Sequence, residues 1–139
     1  MKKGSKAKIT SRVIIINLVI GNTTPYIGGK SSFGTMVNYP LMVGMSVACI
    51  VLYILFFNFL HFENYTKSKL FVASILSCMM IVFLGNSFAL FIKEPIMELF
   101  YNFGATVIMG IMGNVVLFPF SLILGLMNFL VINYLNETK

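Results

Sequence analysis

The sequence contains few of the side chains that perform catalysis. It has one histidine, two cysteines and four acidic residues, all of them glutamate. An enzyme needs a nucleophile with its base, paired carboxylates or converging metal ligands. His61 and Glu63 lie two residues apart and could handle a proton together, but the polar turn around them favours a solvated loop instead. We therefore predict a non-enzymatic protein with no catalytic residues, no cofactor and no metal site.

Cysteine and intramembrane charge are scarce as well. Cys49 and Cys78 both lie in apolar segments, where a disulfide framework is not expected. The apolar segments contain no acidic or basic side chain. Ion or proton transport through a helical bundle usually leaves an ionisable residue inside the membrane, so the sequence gives no direct sign of it.

Charged residues make up only 10% of the 139 residues, against about 25% in soluble domains. Hydrophobic residues account for 58%, and the mean hydropathy is +0.93. No stretch outside the apolar segments is long enough for a separate folded unit. These features predict one multi-pass domain in a lipid bilayer.

The net charge of +6 is concentrated at the start of the chain, where five of the ten basic residues occupy the first twelve positions. They precede an apolar run, which is typical of a cytoplasmic anchor facing anionic lipid. Nucleic-acid binding is not predicted, because this tail lacks aromatic or polar groups that read bases.

Four apolar segments, at about 13–28, 40–60, 70–92 and 103–135, are separated by polar residues. We predict an all-α integral membrane protein with a basic tail (1–12), one transmembrane domain (13–135) and a short polar tail (136–139). The first segment is shorter than the roughly 20 residues that a span needs, and 28–35 has the composition of a linker. A basic start and a short apolar core also describe a secretory signal peptide, although no typical cleavage site follows.

The positive-inside rule, which counts lysine and arginine, distinguishes the possible numbers of spans. Four spans with a cytoplasmic N-terminus place eight of the ten basic residues inside. If the first segment does not cross, or if the last is split at 114–119, seven lie inside and three outside. We therefore predict a small four-helix transmembrane bundle with cytoplasmic N- and C-termini. Frequent Asn, Lys, Ile and Phe suit a bacterial inner-membrane protein.

Small and polar residues recur on one face of the last two segments, which is how membrane helices approach closely. On the last segment this face comprises Thr106, Gly110, Gly113, Asn114, Ser121, Gly125 and Asn128. On the third segment it comprises Ser74, Cys78, Gly85 and Ala89. We expect these two faces to meet. The part of the last segment's face that this contact leaves free would then serve a partner or a pore. Pro119 leaves a carbonyl unpaired and is the candidate hinge.

Two functions fit these features. The first is helix–helix contact, as a homo-oligomer or as a partner of a larger membrane protein. Small size and composition resemble those of bacteriocin immunity proteins and phage-defence subunits in general terms, although no motif supports the match. The alternative is a small oligomeric channel or transporter, with a path lined by Asn, Ser and Gly and with Pro119 as its hinge.

Overall fold

The computed structural model describes residues 3–32, 38–59, 62, 65–93, 96–101 and 103–137, which fold into helices joined by short connections. The helices are α1 (Lys3–Ser32), α2 (Tyr39–Phe59), α3 (Lys67–Lys93), α4 (Ile96–Tyr101) and α5 (Phe103–Glu137). Within those residues, α2, α3 and the Phe103–Leu135 part of α5 are long and apolar enough to cross a membrane. The all-helical class and three apolar helices of membrane-spanning length are thereby confirmed.

The apolar runs of the sequence predict the bounds of α2, α3 and α5 to within about three residues, and polar side chains cap the starts of α2 and α3. At the start of α2, the Asn38 side chain accepts a hydrogen bond from the Leu41 backbone N–H at 3.3 Å. At the start of α3, the Thr66 hydroxyl accepts one from the Lys69 backbone N–H at 3.4 Å. These side chains satisfy donors that the first turn of a helix leaves unpaired.

Helix α1 is longer than the sequence predicts. It begins at Lys3, inside the stretch 1–12 expected to be a tail, and it continues to Ser32, into the stretch 28–35 expected to be a linker. The early start has a packing reason, because Ile9 and Val13, one turn apart, are only 2% and 0% exposed. Basic residues before this apolar run and polar residues after it keep α1 below the hydropathy of the other three long helices.

The four long helices form a ring in the order α1, α2, α3, α5. Helix α3 packs against both α2 and α5, and α1 packs against the same two helices to close the ring. The short helix α4 contacts α3 and α5. At one end of the ring, Ile9 and Val13 of α1 join Phe57, Leu70 and Ile132 in a common apolar core.

Helices α2 and α3 approach each other at a pair of glycines. A Cβ atom added to Gly44 would lie 2.8 Å from the Ala89 backbone nitrogen and still closer to the Gly85 carbonyl oxygen. A Cβ atom added to Gly85 would lie 2.9 Å from the Met45 Cα. The two backbones are therefore in direct contact, as small residues allow in membrane helices.

Three glycines of α5, namely Gly110, Gly113 and Gly125, pack against residues of α3. A Cβ atom added to Gly110 would lie 2.6 Å from the Phe83 ring, and one added to Gly125 would lie 2.8 Å from the Ile75 Cα. A Cβ atom added to Gly113 would collide with the Asn86 amide. The small face of α5 thus lies inside the bundle. On α3, Cys78 of the predicted small face lies 3.3 Å from Asn128 of α5, whereas Gly85 of that face lies against Met45 of α2.

The end of the ring that holds the N-termini of α1 and α3 is basic. Its exposed or half-buried cations are Lys6, Lys8, Arg12, Lys67 and Lys69. Glu137 at the end of α5 pairs with Lys67 at 2.8 Å, and this hydrogen-bonded cation lowers the pKa of the Glu137 carboxyl. The pair therefore contributes at neutral pH, and its contribution is lost as the pH falls through the lowered pKa.

Candidate functional site

A buried polar cluster ties the four long helices together at the centre of the ring. It consists of Asn17 on α1, Tyr53 on α2, Cys78 on α3 and Asn128 on α5. Asn128 is 0% exposed, and the other three are 6% exposed or less. One residue from each helix therefore contributes to a single site enclosed by protein.

Asn128 occupies the middle of this cluster. Its amide nitrogen donates to the Tyr53 hydroxyl at 2.6 Å, and it also lies 3.3 Å from the Cys78 sulfur and 3.3 Å from the Asn17 Oδ1. Its Oδ1 accepts a hydrogen bond of 2.7 Å from the Asn17 amide nitrogen. Two amide hydrogens thus face three acceptors, and the Asn128 side chain is saturated by protein.

Asn17 shares its hydrogens between the cluster and its own helix. Besides Asn128, its amide nitrogen donates to the Val13 carbonyl oxygen at 2.8 Å. The Cys78 thiol lies 3.8 Å from the Asn17 Oδ1 and 3.8 Å from the Tyr53 hydroxyl. All four members are neutral polar groups, so the cluster can hold the helices together by hydrogen bonding without burying a charge.

A cavity of about 40 Å³ adjoins the cluster and is likewise shared by all four long helices. Its polar wall contains Asn17, Asn22, Ser46, Cys78 and Ser121. The Asn22 amide nitrogen donates to the Ser46 hydroxyl at 3.0 Å, a second polar link between α1 and α2. The Asn22 Oδ1 and the Ser121 Oγ are buried and have no hydrogen-bond partner in the part of the chain that the structure describes.

The structure places most of the predicted residues in two settings. Cys78, Ser121 and Asn128 belong to the cluster or the cavity, while Gly85, Ala89, Gly110, Gly113 and Gly125 lie at helix crossings. Three further residues lie outside both settings. Ser74 is buried and donates to the Leu70 carbonyl oxygen at 2.8 Å, Thr106 is half-buried, and Pro119 is exposed within a continuous helix.

Asn114 is half-buried and combines two environments. Its amide nitrogen donates to the Gly110 carbonyl oxygen at 3.1 Å, one turn earlier on α5. Its Oδ1 is buried and, within the described part of the chain, has no hydrogen-bond partner. Asn114 and Asn128, which the sequence treats as equivalent, therefore differ, because only Asn128 is saturated.

Sequence reasoning missed Asn17 and Tyr53 as members of the site. A usable signal exists for Asn17, because it is the only polar residue in the run 13–20 and its amide needs a partner in an apolar setting. Tyr53 gives a weaker signal, since a tyrosine in the middle of an apolar helix can also reach a membrane interface. His61 and Glu63, the possible proton-handling pair, lie outside the described residues.

No protein-family model, curated protein or solved structure matches this chain. Among the described residues, no group of three His, Cys, Asp or Glu side chains is placed to hold a metal ion. The cluster, the cavity and the outer surface of the bundle are therefore the features that bear on function.

Proposed function

We propose that this chain is a small multi-pass membrane protein that acts by contact and performs no chemistry of its own. Its partner is a second copy or a larger membrane protein. A bacterial inner membrane is the setting that its composition favours, and immunity to a bacteriocin or phage defence is a role that suits such a contact protein. The basic end of the ring then faces the cytoplasm, and α1 completes the fourth span.

The observation that carries this proposal is an outer face on the first half of α5, formed by Gly104, Ile108, Ile111 and Val115. These residues follow the helical spacing of one stripe, opposite the glycines that pack on α3. Ile108 is 62% exposed and Val115 is 65% exposed. A Cβ atom at Gly104 would meet nothing within 4 Å, so this glycine gives a second helix room to approach.

Single-cysteine crosslinking in membranes tests this contact. We expect Ile108→Cys to form a covalent dimer or a heavier adduct with another membrane protein. Val47→Cys is the control, because Val47 lies on the lipid-facing side of α2 and is exposed as well. Background is low because the native cysteines, Cys49 and Cys78, are buried. Equal, trace crosslinking from both positions would remove the outer face of α5 as an interface.

The channel alternative has less support from the geometry. Asn128, one of its expected pore-lining residues, is fully buried and bonded to three other helices. Beyond the cluster, Ile9, Val13 and Ile132 close the interior of the ring with apolar side chains. Within the described residues, the cavity beside the cluster favours this alternative, because Asn17, Asn22 and Ser121 are among the residues that line it.

The basic end of the ring also supports our proposal of an anionic lipid as a partner. A groove of about 350 Å³ between α1 and α5 is lined by Arg12, Ile15, Ile16, Val131, Tyr134 and Leu135. Within the described residues, the acidic side chain at this end, Glu137, pairs with Lys67 and not with Arg12. An acyl chain against the apolar wall would bring a lipid phosphate to the guanidinium, which binds phosphate well.

We expect Arg12→Gln to weaken the retention of phosphatidylglycerol relative to phosphatidylcholine by several-fold. Native mass spectrometry of the protein released from mixed-lipid nanodiscs measures this ratio. Lys93→Gln is the matched control, because it removes one exposed positive charge at the opposite end of α3. If the two variants retain phosphatidylglycerol equally well, the groove does not select an anionic lipid.

A further inference from the structure

Two residues that line the cavity beside the polar cluster have a hydrogen-bonding atom without a protein partner among the described residues. Ser121 of α5 is 2% exposed, and its hydroxyl oxygen is one of these atoms. The other is the buried Oδ1 of Asn22 on α1. An unpaired polar atom in a membrane bundle is costly, because lipid offers no hydrogen bond in exchange.

The dimensions and chemistry of this cavity suit water. A water molecule needs at least about 10–15 Å³ and between two and four polar partners. The cavity volume of about 40 Å³ meets the first condition. The Asn22 Oδ1 accepts hydrogen bonds, the Ser121 hydroxyl both donates and accepts, and the neighbouring Ser46 hydroxyl has further acceptor capacity, so the second condition is met as well.

We propose that this cavity is a hydration site inside the membrane bundle, where ordered water bridges Asn22 of α1 to Ser121 of α5. Water donates to the Asn22 Oδ1 and bonds the Ser121 hydroxyl, which the protein alone leaves unsatisfied. The bridge extends the direct hydrogen bonds of Asn17 and Asn22 to α5 and α2. It gives α1, the least apolar long helix, a third polar attachment to the ring.

Hydroxyl-radical labelling in nanodiscs reports bound water directly, because radiolysis of a water molecule oxidises the side chains beside it. Met45 is a suitable reporter, since it lines the cavity and is only 8% exposed. Met80 is 49% exposed but faces outward, where lipid surrounds it, and serves as the internal control. We expect Met45 to be oxidised several-fold faster than Met80, with the oxygen derived from isotopically labelled water. Oxidation of Met45 no faster than that of Met80 would show a dry cavity.

Two small residues of α1 provide matched variants for this measurement. Gly21 lines the cavity, and a Cβ atom there meets nothing within 4 Å, so Gly21→Leu has room to displace the water. Ala7 is exposed and does not line the cavity. We expect Gly21→Leu to reduce Met45 oxidation and Ala7→Leu to leave it unchanged. Unchanged oxidation in a folded Gly21→Leu protein would mean that water reaches Met45 by another path, which overturns the proposal.

The melting temperature of Ser121→Ala is an independent test, because a hydrated cavity and a dry cavity predict changes in different directions. If water bonds the hydroxyl, the substitution removes a hydrogen bond and lowers the melting temperature. If the cavity is dry, the substitution deletes an unsatisfied buried hydroxyl, and the melting temperature stays constant or rises. The second outcome would contradict hydration. The oxidation of Met45 in the unmodified protein remains decisive if a variant fails to fold.

Discussion

Gly44→Ala is expected to destabilise the bundle by about 3 kcal/mol, or to prevent folding, because overpacking a close contact costs about 1–3 kcal/mol and sometimes more. The added methyl group would meet the Gly85 carbonyl oxygen and the Ala89 backbone nitrogen. Backbone atoms within a helix cannot rotate away as a side chain can. Helices α2 and α3 would therefore have to separate along their crossing, and α3 would lose contacts that also position it against α5.

Unfolding in mixed micelles by increasing sodium dodecyl sulfate measures this cost. The matched controls are Gly21→Ala and Gly104→Ala, whose new Cβ atoms meet nothing within 4 Å. These two variants should be neutral or more stable by up to about 1 kcal/mol, because alanine favours a helix over glycine. If Gly44→Ala unfolds at the same detergent fraction as Gly104→Ala, then α2 and α3 do not touch at this crossing.

The stability cost of a Gly→Ala substitution at Gly110, Gly113 or Gly125 should depend on which atoms the new methyl group meets. Gly125→Ala would meet the Ile75 Cα, a backbone atom, and should approach the cost at Gly44. The atoms nearest to the new methyl group belong to the Phe83 ring in Gly110→Ala and to the Asn86 side chain in Gly113→Ala. Because these side chains can shift, both substitutions should cost less than the change at Gly125.

The sequence predicts the helices of this protein better than their pairing. Apolar runs bounded by caps such as Asn38 and Thr66 determine where α2 and α3 begin, so local rules suffice there. The glycine spacing on α5 also identifies its inward face correctly, because Gly110, Gly113 and Gly125 pack on α3. Spacing alone does not say which side chains fill the gaps that these glycines leave.

The pairing on α3 shows why. Small residues on two helices suggest that they meet each other, but Gly85 faces Met45 of α2, and the α5 glycines accept Phe83 and Ile75. A glycine leaves a hollow that a large side chain fills as well as a second backbone does. Complementary volumes in three dimensions, which a linear pattern does not contain, decide between these solutions.

The polar cluster lies beyond sequence reasoning for a related reason. Asn17 and Asn128 are separated by 111 positions along the chain, and nothing in either segment marks the other as its partner. Each asparagine indicates only that it needs partners in an apolar environment. The ring order α1, α2, α3, α5 is what brings the two amides together with Tyr53 and Cys78.

Asn128→Leu is expected to cost about 2–3 kcal/mol, because it leaves buried groups without partners at about 1–3 kcal/mol each in soluble proteins, and somewhat less in membranes. Leucine has a similar length and keeps the helix intact, so the loss concerns hydrogen bonds rather than volume. The Tyr53 hydroxyl loses the donor at 2.6 Å, and the Asn17 amide loses its acceptor at 2.7 Å. Unfolding in mixed micelles, as for the glycines, measures the difference.

Asn133→Leu is the matched control for this change. Asn133 lies on the same helix and also donates a side-chain hydrogen bond, at 3.2 Å to Glu137, but that bond is exposed to solvent. Water replaces it when asparagine is removed, so the cost should stay within about 0.5 kcal/mol. If the two variants are equally stable, the cluster contributes no more than an exposed hydrogen bond.

A double-mutant cycle shows whether the cluster works as a unit that holds α1 in the ring. Once Asn128 is leucine, the Asn17 amide keeps its bond to the Val13 carbonyl oxygen but has lost its link to α5. Asn17→Leu should then cost little more, and the double variant should be more stable than the sum of the two single costs predicts. Strict additivity would mean that the two amides act independently. The least apolar long helix would then be held by its apolar contacts, chiefly those of Ile9 and Val13, and not by the buried cluster.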